Sequence, residues 1–227
     1  GAAKKTAKAG KMRGIYLPYW TFDADTDSTY TARYGKNRVV RRGKETRVVT
    51  DWYRTSGSYY EFINDQLVSG TEKHDGNILS GIEPFHTENN VVYKPEYVAG
   101  FASERYSIGL KAAWERAKNF IKNRLISHIT KKIKDSCHAD QVSNVNVKTV
   151  YRNITYKYLM LPVWMSSFVY KGKVYQFMVN GQTGKVSGKA PISPIRVAIA
   201  ILIGIVIIGL LAVLVMGGDS EISYYNM

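Results

Sequence analysis

Asp23, Asp25 and Asp27 stand at alternate positions in the stretch GIYLPYWTFDADTD. Carboxylates at that spacing are how a calcium loop presents oxygen to its ion. Such a loop also needs Gly at its sixth position and Glu at its twelfth, where this chain has Ser28 and Tyr34. The alternation fits a strand instead, because successive side chains point to opposite faces. Trp20, Phe22, Ala24, Thr26, Ser28 and Tyr30 then share one face, and the aspartates point the other way, to solvent or a partner.

Other chemistry-bearing residues fail similar tests. Asn180 to Lys185, NGQTGK, approaches a phosphate loop, but the pattern breaks at Val179 and Val186 and reads as a hairpin turn. His74, His86, His128 and His138 share no metal-ligand spacing. Cys137 and His138 are adjacent, and neighbours in sequence rarely meet side chain to side chain. Cys137 is the only cysteine, so no intrachain disulfide and no cysteine-based zinc site can close within this chain. With no catalytic constellation, the expectation is a non-enzyme with no cofactor and no small-molecule substrate.

The charges are more informative. Lys and Arg total 32 against 18 Asp and Glu, a net charge of +14 in 227 residues, which points to an anionic partner. Lys36, Arg38, Arg41, Arg42, Lys44 and Arg47 crowd one region, relieved by Glu45. Arg116, Lys118, Lys122, Arg124, Lys131, Lys132 and Lys134 lie in a stretch with no acid from 116 to 134. Arg38, Arg41, Arg42, Lys44, Arg47, Lys118, Lys122, Lys131 and Lys132 are the candidate anion-binding residues. Anionic lipid is weighted above nucleic acid, because the aromatics fall mostly on expected core faces.

The elements that must hold these groups are legible in outline. Residues 1–13 are basic and without periodicity, a flexible linker. Gly1 rather than Met opens the chain, and no signal peptide is read there; this is taken as the edge of a longer protein. Thr46 to Arg54 and Ser58 to Val68 are rich in β-branched and aromatic residues, with Gly57 as a turn between them. Apolar residues at three- and four-residue steps predict a long helix from about Ser103 to Lys134, capped by Ser103. Strands return over Lys148 to Gly188, with turns at Lys171–Lys173 and Gly181–Gly184. Leu17-Pro18-x-Trp20 recurs as Leu161-Pro162-x-Trp164, each opening a strand, and these six residues are assigned to the core face as a faint internal repeat.

Val197 to Met216 carries no charge over twenty residues; at about 1.5 Å per residue it spans roughly 30 Å, the thickness of a bilayer core. Lysines and Arg196 before it, and only Asp219 and Glu221 after it, place the N-terminal part in the cytoplasm. The expected fold is therefore α+β: antiparallel β-meanders packed with one long amphipathic helix, then a single C-terminal transmembrane helix. The expected division is a linker at 1–13, a cytoplasmic domain at 14–192, a connector and span at 193–218, and an outer tail at 219–227.

Four segments carry a resemblance: GIYLPYWTFDADTDSTYT, EPFHTENNVVYKPEYVAGFASERYSI, LMLPVW and VYQFMVNGQTGKVSGKAPIS. Over residues 14 to 192 the chain resembles bacterial zinc-ribbon membrane proteins, some labelled TFIIB-type zinc ribbon proteins and some named after the replication-restart helicase. The resemblance implies Cys-x-x-Cys ribbons upstream of Gly14. This chain has none, so zinc would enter only with such ribbons. It also implies work as a membrane-bound recruiter beside membrane-stress proteins. The expectation is an adaptor at the cell membrane that docks protein partners; the alternative is a tethered nucleic-acid binder.

Overall fold

The computed structural model describes residues 8–9, 11–43, 45–190, 202, 203, 205, 207 and 208. The elements are β1 (Lys8–Ala9), β2 (Arg13–Arg42), β3 (Glu45–Ser69), α1 (Gly76–Gly81), β4 (Ala102–Ser103), α2 (Leu110–Cys137), β5 (Gln141–Tyr170), β6 (Lys173–Asn180) and β7 (Val186–Gly188), with two short 3-10 turns before β4. They divide into a larger unit, Lys11–Ser166 with Phe177–Gly188, and a smaller one made of Gly1–Gly10, Ser167–Gln176 and Lys189–Met227.

In the larger unit, β2 lies between β3 and β5, antiparallel to both. Its pairing with β3 runs from Tyr19 opposite Ser69 to Arg42 opposite Glu45. Its pairing with β5 runs from Arg13 opposite Met165 to Gly35 opposite Gln141, so beyond Gly35 the β2–β3 hairpin continues as a two-stranded ribbon. Three bulges interrupt the ladders, between Phe22 and Ala24 on the β3 side and at Asp23/Asp25 and Thr31/Arg33 on the β5 side. The inserted segments contain Asp65, Asn153 and Asn144, all at positive φ. Asp and Asn tolerate that left-handed conformation best among non-glycine residues, and each bulge bends the strand that carries it.

Each face of β2 has its own core. Trp20, Phe22, Tyr30 and Ala32 lie under α2, joined by Ile63 of β3. From α2 come Ala113, Ala117, Ile121, Leu125, Ile129 and Ile133, one residue every fourth position, all buried. That spacing lays a single stripe along one side of a helix. The opposite face buries Leu17, Tyr19, Leu159, Leu161 and Val163 against Ile78, Leu79, Ile82, Phe85 and Met178. The two proline-bearing strands share one closing contact: Gly70 N–H donates to Pro18 O (2.8 Å) and Gly181 N–H to Pro162 O (2.9 Å), with Leu17 directly opposite Leu161.

In the smaller unit, β1 pairs antiparallel with the end of β5, Lys8 opposite Val169, and the Phe168 and Tyr175 rings stack at 5.4 Å across the Lys171–Gly172 turn.

Several expectations need correction. The expected fold class ended in a transmembrane helix, yet among the described residues no helix is long and apolar enough to cross a membrane. The single-pass chain held at a cell membrane, with a cytoplasmic N-terminal domain, does not stand. Of the expected span, Leu202, Ile203, Ile205, Ile207 and Ile208 are described, helical and exposed, and the rest lies outside the described residues. Three strands are longer than the expected segments: β2, β3 and β5 run 25 to 30 residues each. Gly57 is no turn: it sits within β3 opposite Tyr30, whose hydroxyl lies 2.8 Å from where a Cβ would stand. A strand glycine covered by a cross-strand aromatic keeps its pairing. The helix begins at Leu110 after an N-cap Gly109 with no side-chain cap, because Ala102–Ser103 is taken up as β4, parallel to Ile15–Tyr16. The helix ends on His138 in the left-handed conformation.

Candidate functional site

Among the described residues, the face of the sheet away from α2 is covered at the end where α1 packs. Beyond it Asp23, Asp25 and Asp27 line β2, with Phe62, Tyr60, Ser58, Ser56, Arg54 and Trp52 beside them on β3. The aspartates serve the sheet itself. Asp23 accepts from Asp65 N–H at the bulge (2.8 Å) and from Thr155 Oγ1 (3.1 Å). Asp25 accepts from Tyr60 Oη (2.6 Å) and Asn153 Nδ2 (2.8 Å), and those two bonds hold its carboxyl below the usual range. Asp27 pairs with Arg152 at 3.4 Å. Among the described residues no group of three or more His, Cys, Asp or Glu is placed to hold a metal ion. The zinc-linked description therefore finds no support within this chain.

The outer edge of β3 carries a row of exposed rings. Among the described residues β3 pairs with β2 alone. Trp52 (38% exposed), Tyr53 (46%), Tyr60 (60%) and Phe62 (50%) stand along it. A groove of about 650 Å³ runs beside it, lined by Tyr59, His128, Lys131, Lys132, Asp135 and Ser136. Glu61 ties this edge to the helix: its two oxygens take Arg124 Nε (2.7 Å) and His128 Nδ1 (2.8 Å). Burial works to raise the Glu61 carboxyl, but His128 and Arg124 outweigh it and the net shift is downward.

The sequence-chosen cations do not form one patch. Arg38, Arg41, Arg42 and Arg47 lie on the ribbon, where Arg38 pairs with Asp51 (2.6 Å) and Arg47 with Glu45 (2.8 Å). Arg41 and Arg42 are exposed and make no ion pair among the described residues; Lys44 lies outside them. Asp140 fixes the base of the ribbon at the C-terminal end of α2, its N–H donating to Gly35 O (3.0 Å) and its Oδ2 accepting from Asn37 N–H (2.7 Å). Lys131 and Lys132 lie in that end of the helix, whereas Lys118 and Lys122 lie in the other half, Lys118 pairing with Glu115 at 2.8 Å. Lys132 donates to Ser58 O (3.3 Å) and covers the Tyr59 ring. Of the repeated motif, Leu17, Pro18, Trp20 and Leu161 are buried and Pro162 half-buried, while Trp164 is 39% exposed against Phe101.

One cluster escaped sequence reasoning. A cleft of about 410 Å³ is lined by Thr71, Glu72, His74, Leu79, Glu83 and Arg116, among others. His74 Nε2 meets Glu104 Oε1 at 3.0 Å, both side chains nearly buried, and Thr71 Oγ1 donates to Glu104 Oε2 (3.2 Å). This set fastens the loop after β3 to the loop before α2, as do the Ser107 and Ile108 N–H bonds to Gly70 O. His74 and Glu104 are thirty positions apart in the chain, with no pattern to join them.

Burial pushes the Glu83 carboxyl up to about 7, against the pull of Lys185. The same burial, with Glu83 adding, pushes the Tyr19 phenol up, and the Tyr19 hydroxyl has no partner among the described residues. Folded Glu83 thus keeps its proton up to about pH 7, whereas the unfolded chain releases it near 4.5. Its contribution is greatest below pH 4.5 and is lost as pH rises to 7. At this half-buried site solvent screens part of the effect, so Glu83→Gln should stabilise by about 1–2 kcal/mol at pH 8 and change little at pH 4. Thermal unfolding of both proteins at the two pH values checks it.

A sheet built on three long strands and crossed by one helix defines a β-rich module whose exposed features are edges and charge. No family model matches the chain, and no solved structure matches it. It is similar to the uncharacterized protein YdjG of Bacillus subtilis (strain 168), at 30% identity over 196 residues. That alignment takes in 82% of this chain and 54% of YdjG, so the chain spans about half the length of the relative it matches.

Proposed function

We propose that the chain is a protein-recruiting adaptor that engages an extended segment of its partner along the free edge of β3. The observation that carries this is the 25-residue strand that, among the described residues, pairs on one side alone and is set with exposed Trp52, Tyr53, Tyr60 and Phe62. A free edge offers a row of backbone donors and acceptors, and alternate side chains supply selectivity. The groove between Tyr59 and Lys132 gives such a segment a second wall.

Lysine on an edge strand blocks strand addition without touching a core. Ser56→Lys with Ser58→Lys, both exposed positions, should abolish retention of partners that the unaltered chain captures, with the melting temperature unchanged. Equal retention by both proteins would overturn the reading.

The ribbon beyond Gly35 favours a second reading. Among the described residues Arg41 and Arg42 make no ion pair, and they stand on a two-stranded β-ribbon, a shape that the DNA major groove admits. Duplex DNA retained in a salt-dependent way, and released by Arg41→Glu with Arg42→Glu, would select it.

A further inference from the structure

We propose that the edge of β3 pairs with the same edge of a second copy of this chain, antiparallel and centred on Gly57. The proposal rests on the reading of β3 as a docking edge and names one occupant for it.

The segment Trp52 to Phe62 reads WYRTSGSYYEF. A two-fold interface is self-complementary: each residue meets the one equally far beyond the centre in its partner. Folded about Gly57, Trp52 meets Phe62, Arg54 meets Tyr60 and Ser56 meets Ser58, all on the open face. On the α2 side Tyr53 meets Glu61 and Thr55 meets Tyr59. Ring against ring, guanidinium against ring and hydroxyl against hydroxyl are favourable cross-strand pairs. Neighbouring registers are worse. Centred on Ser56 the strands set Asp51 opposite Glu61, and centred on Ser58 they set Asp51 opposite Asp65, both like-charge contacts. Centred on Gly57, Asp51 meets Ile63 and no like charges face each other.

Among the described residues, pairing must displace Lys132, whose Nζ lies on the Ser58 carbonyl and over the Tyr59 ring. A mobile lysine at a strand edge is a common guard against uncontrolled pairing, and its flexible stem can withdraw. A single strand pair is a small interface, so self-association is reversible and concentration-dependent.

The full chain carrying Cys137→Ser tests the register. Ser56→Cys is made in one preparation and Ser58→Cys in another. Opposed positions on an antiparallel pair stand about 4.5–5.5 Å apart at Cα, within the separation a disulfide bridges, whereas 56 with 56 and 58 with 58 are out of step. Under mild oxidation the mixture should yield a covalent heterodimer, and each preparation alone should not. The unaltered chain should sediment heavier as its concentration rises, an increase lost in Ser56→Lys with Ser58→Lys. No heterodimer from two preparations with native circular dichroism, or a monomer at every concentration, overturns self-pairing. If that monomer still retains a partner through the β3 edge, the adaptor reading stands and only this occupant falls.

Discussion

Asn180→Asp should destabilise the chain by about 3 kcal/mol or more at neutral pH, although it replaces one amide nitrogen by oxygen. Asn180 is 1% exposed and uses both ends of its side chain. Its Nδ2 donates to Ile82 O and Pro84 O, each at 2.9 Å, and its Oδ1 accepts from Gln182 N–H (2.8 Å) and Thr183 N–H (3.0 Å). One residue therefore binds the segment after α1 to the β6–β7 turn. In the aspartate variant an ionised oxygen faces two carbonyls and has no donor. Burial and those carbonyls raise the carboxyl pKa in the folded state, so the folded chain holds the proton where the unfolded chain has released it. The sign follows: the variant is least impaired in acid, where the protonated carboxyl donates to one carbonyl, and loses stability as pH rises. Asn180→Ala, which strands four backbone groups without adding charge, should show a similar loss that does not vary with pH. Chemical denaturation of the three proteins across the acid-to-neutral range reads the difference; a flat profile for Asn180→Asp would refute the assignment.

Trp20→Ala should cost about 3–5 kcal/mol, the range for removing a large buried aromatic. Two losses combine. The indole fills the end of the α2-side core, with Tyr158 at 5.3 Å, Tyr106 at 5.6 Å and Tyr156 at 6.2 Å between ring centres. Its Nε1 also donates to Ile108 O (2.9 Å), fixing the chain just before α2 begins. Trp20→Phe keeps most of the volume and drops the donor, so it should recover more than half of the loss. Equal midpoints for the two variants in urea would show that the hydrogen bond, rather than packing, dominates there. The pairing of this contact with a conformationally plain N-cap, Gly109, explains how α2 starts without a capping side chain: its first turn is positioned from the sheet.

Much of this was readable in the residues. The three- and four-residue apolar steps along residues 103–134 are a local property of the chain and predict the helix, whereas the structure narrows its buried side to the stripe from Ala113 to Ile133 and leaves Tyr106 and Phe120 exposed. Alternation from Trp20 to Tyr30 likewise separated the aspartates from the core, since a strand's faces follow from its backbone alone. The turns at Lys171–Gly172 and Gly181–Gly184 were carried by the glycines that make them. The same local evidence misjudged Gly57, whose place inside a strand depends on Tyr30 across the ladder, and Ser103, whose strand pairing depends on Ile15 and Tyr16 far upstream. An apolar stretch of the right length implied a span, and the described helices include none that could form one.

Composition and periodicity determined that this chain is strongly basic, rich in strands and built on one long helix. The tertiary structure decided the rest: that bulges at Asp65, Asn144 and Asn153 reset the alternation, that His74 reaches Glu104, and that among the described residues β3 has a neighbour on one side only. Side-chain periodicity records which face of an element is buried. It holds no record of whether the hydrogen-bonding edge is occupied, because every residue's backbone apart from proline offers the same donor and acceptor whatever its side chain.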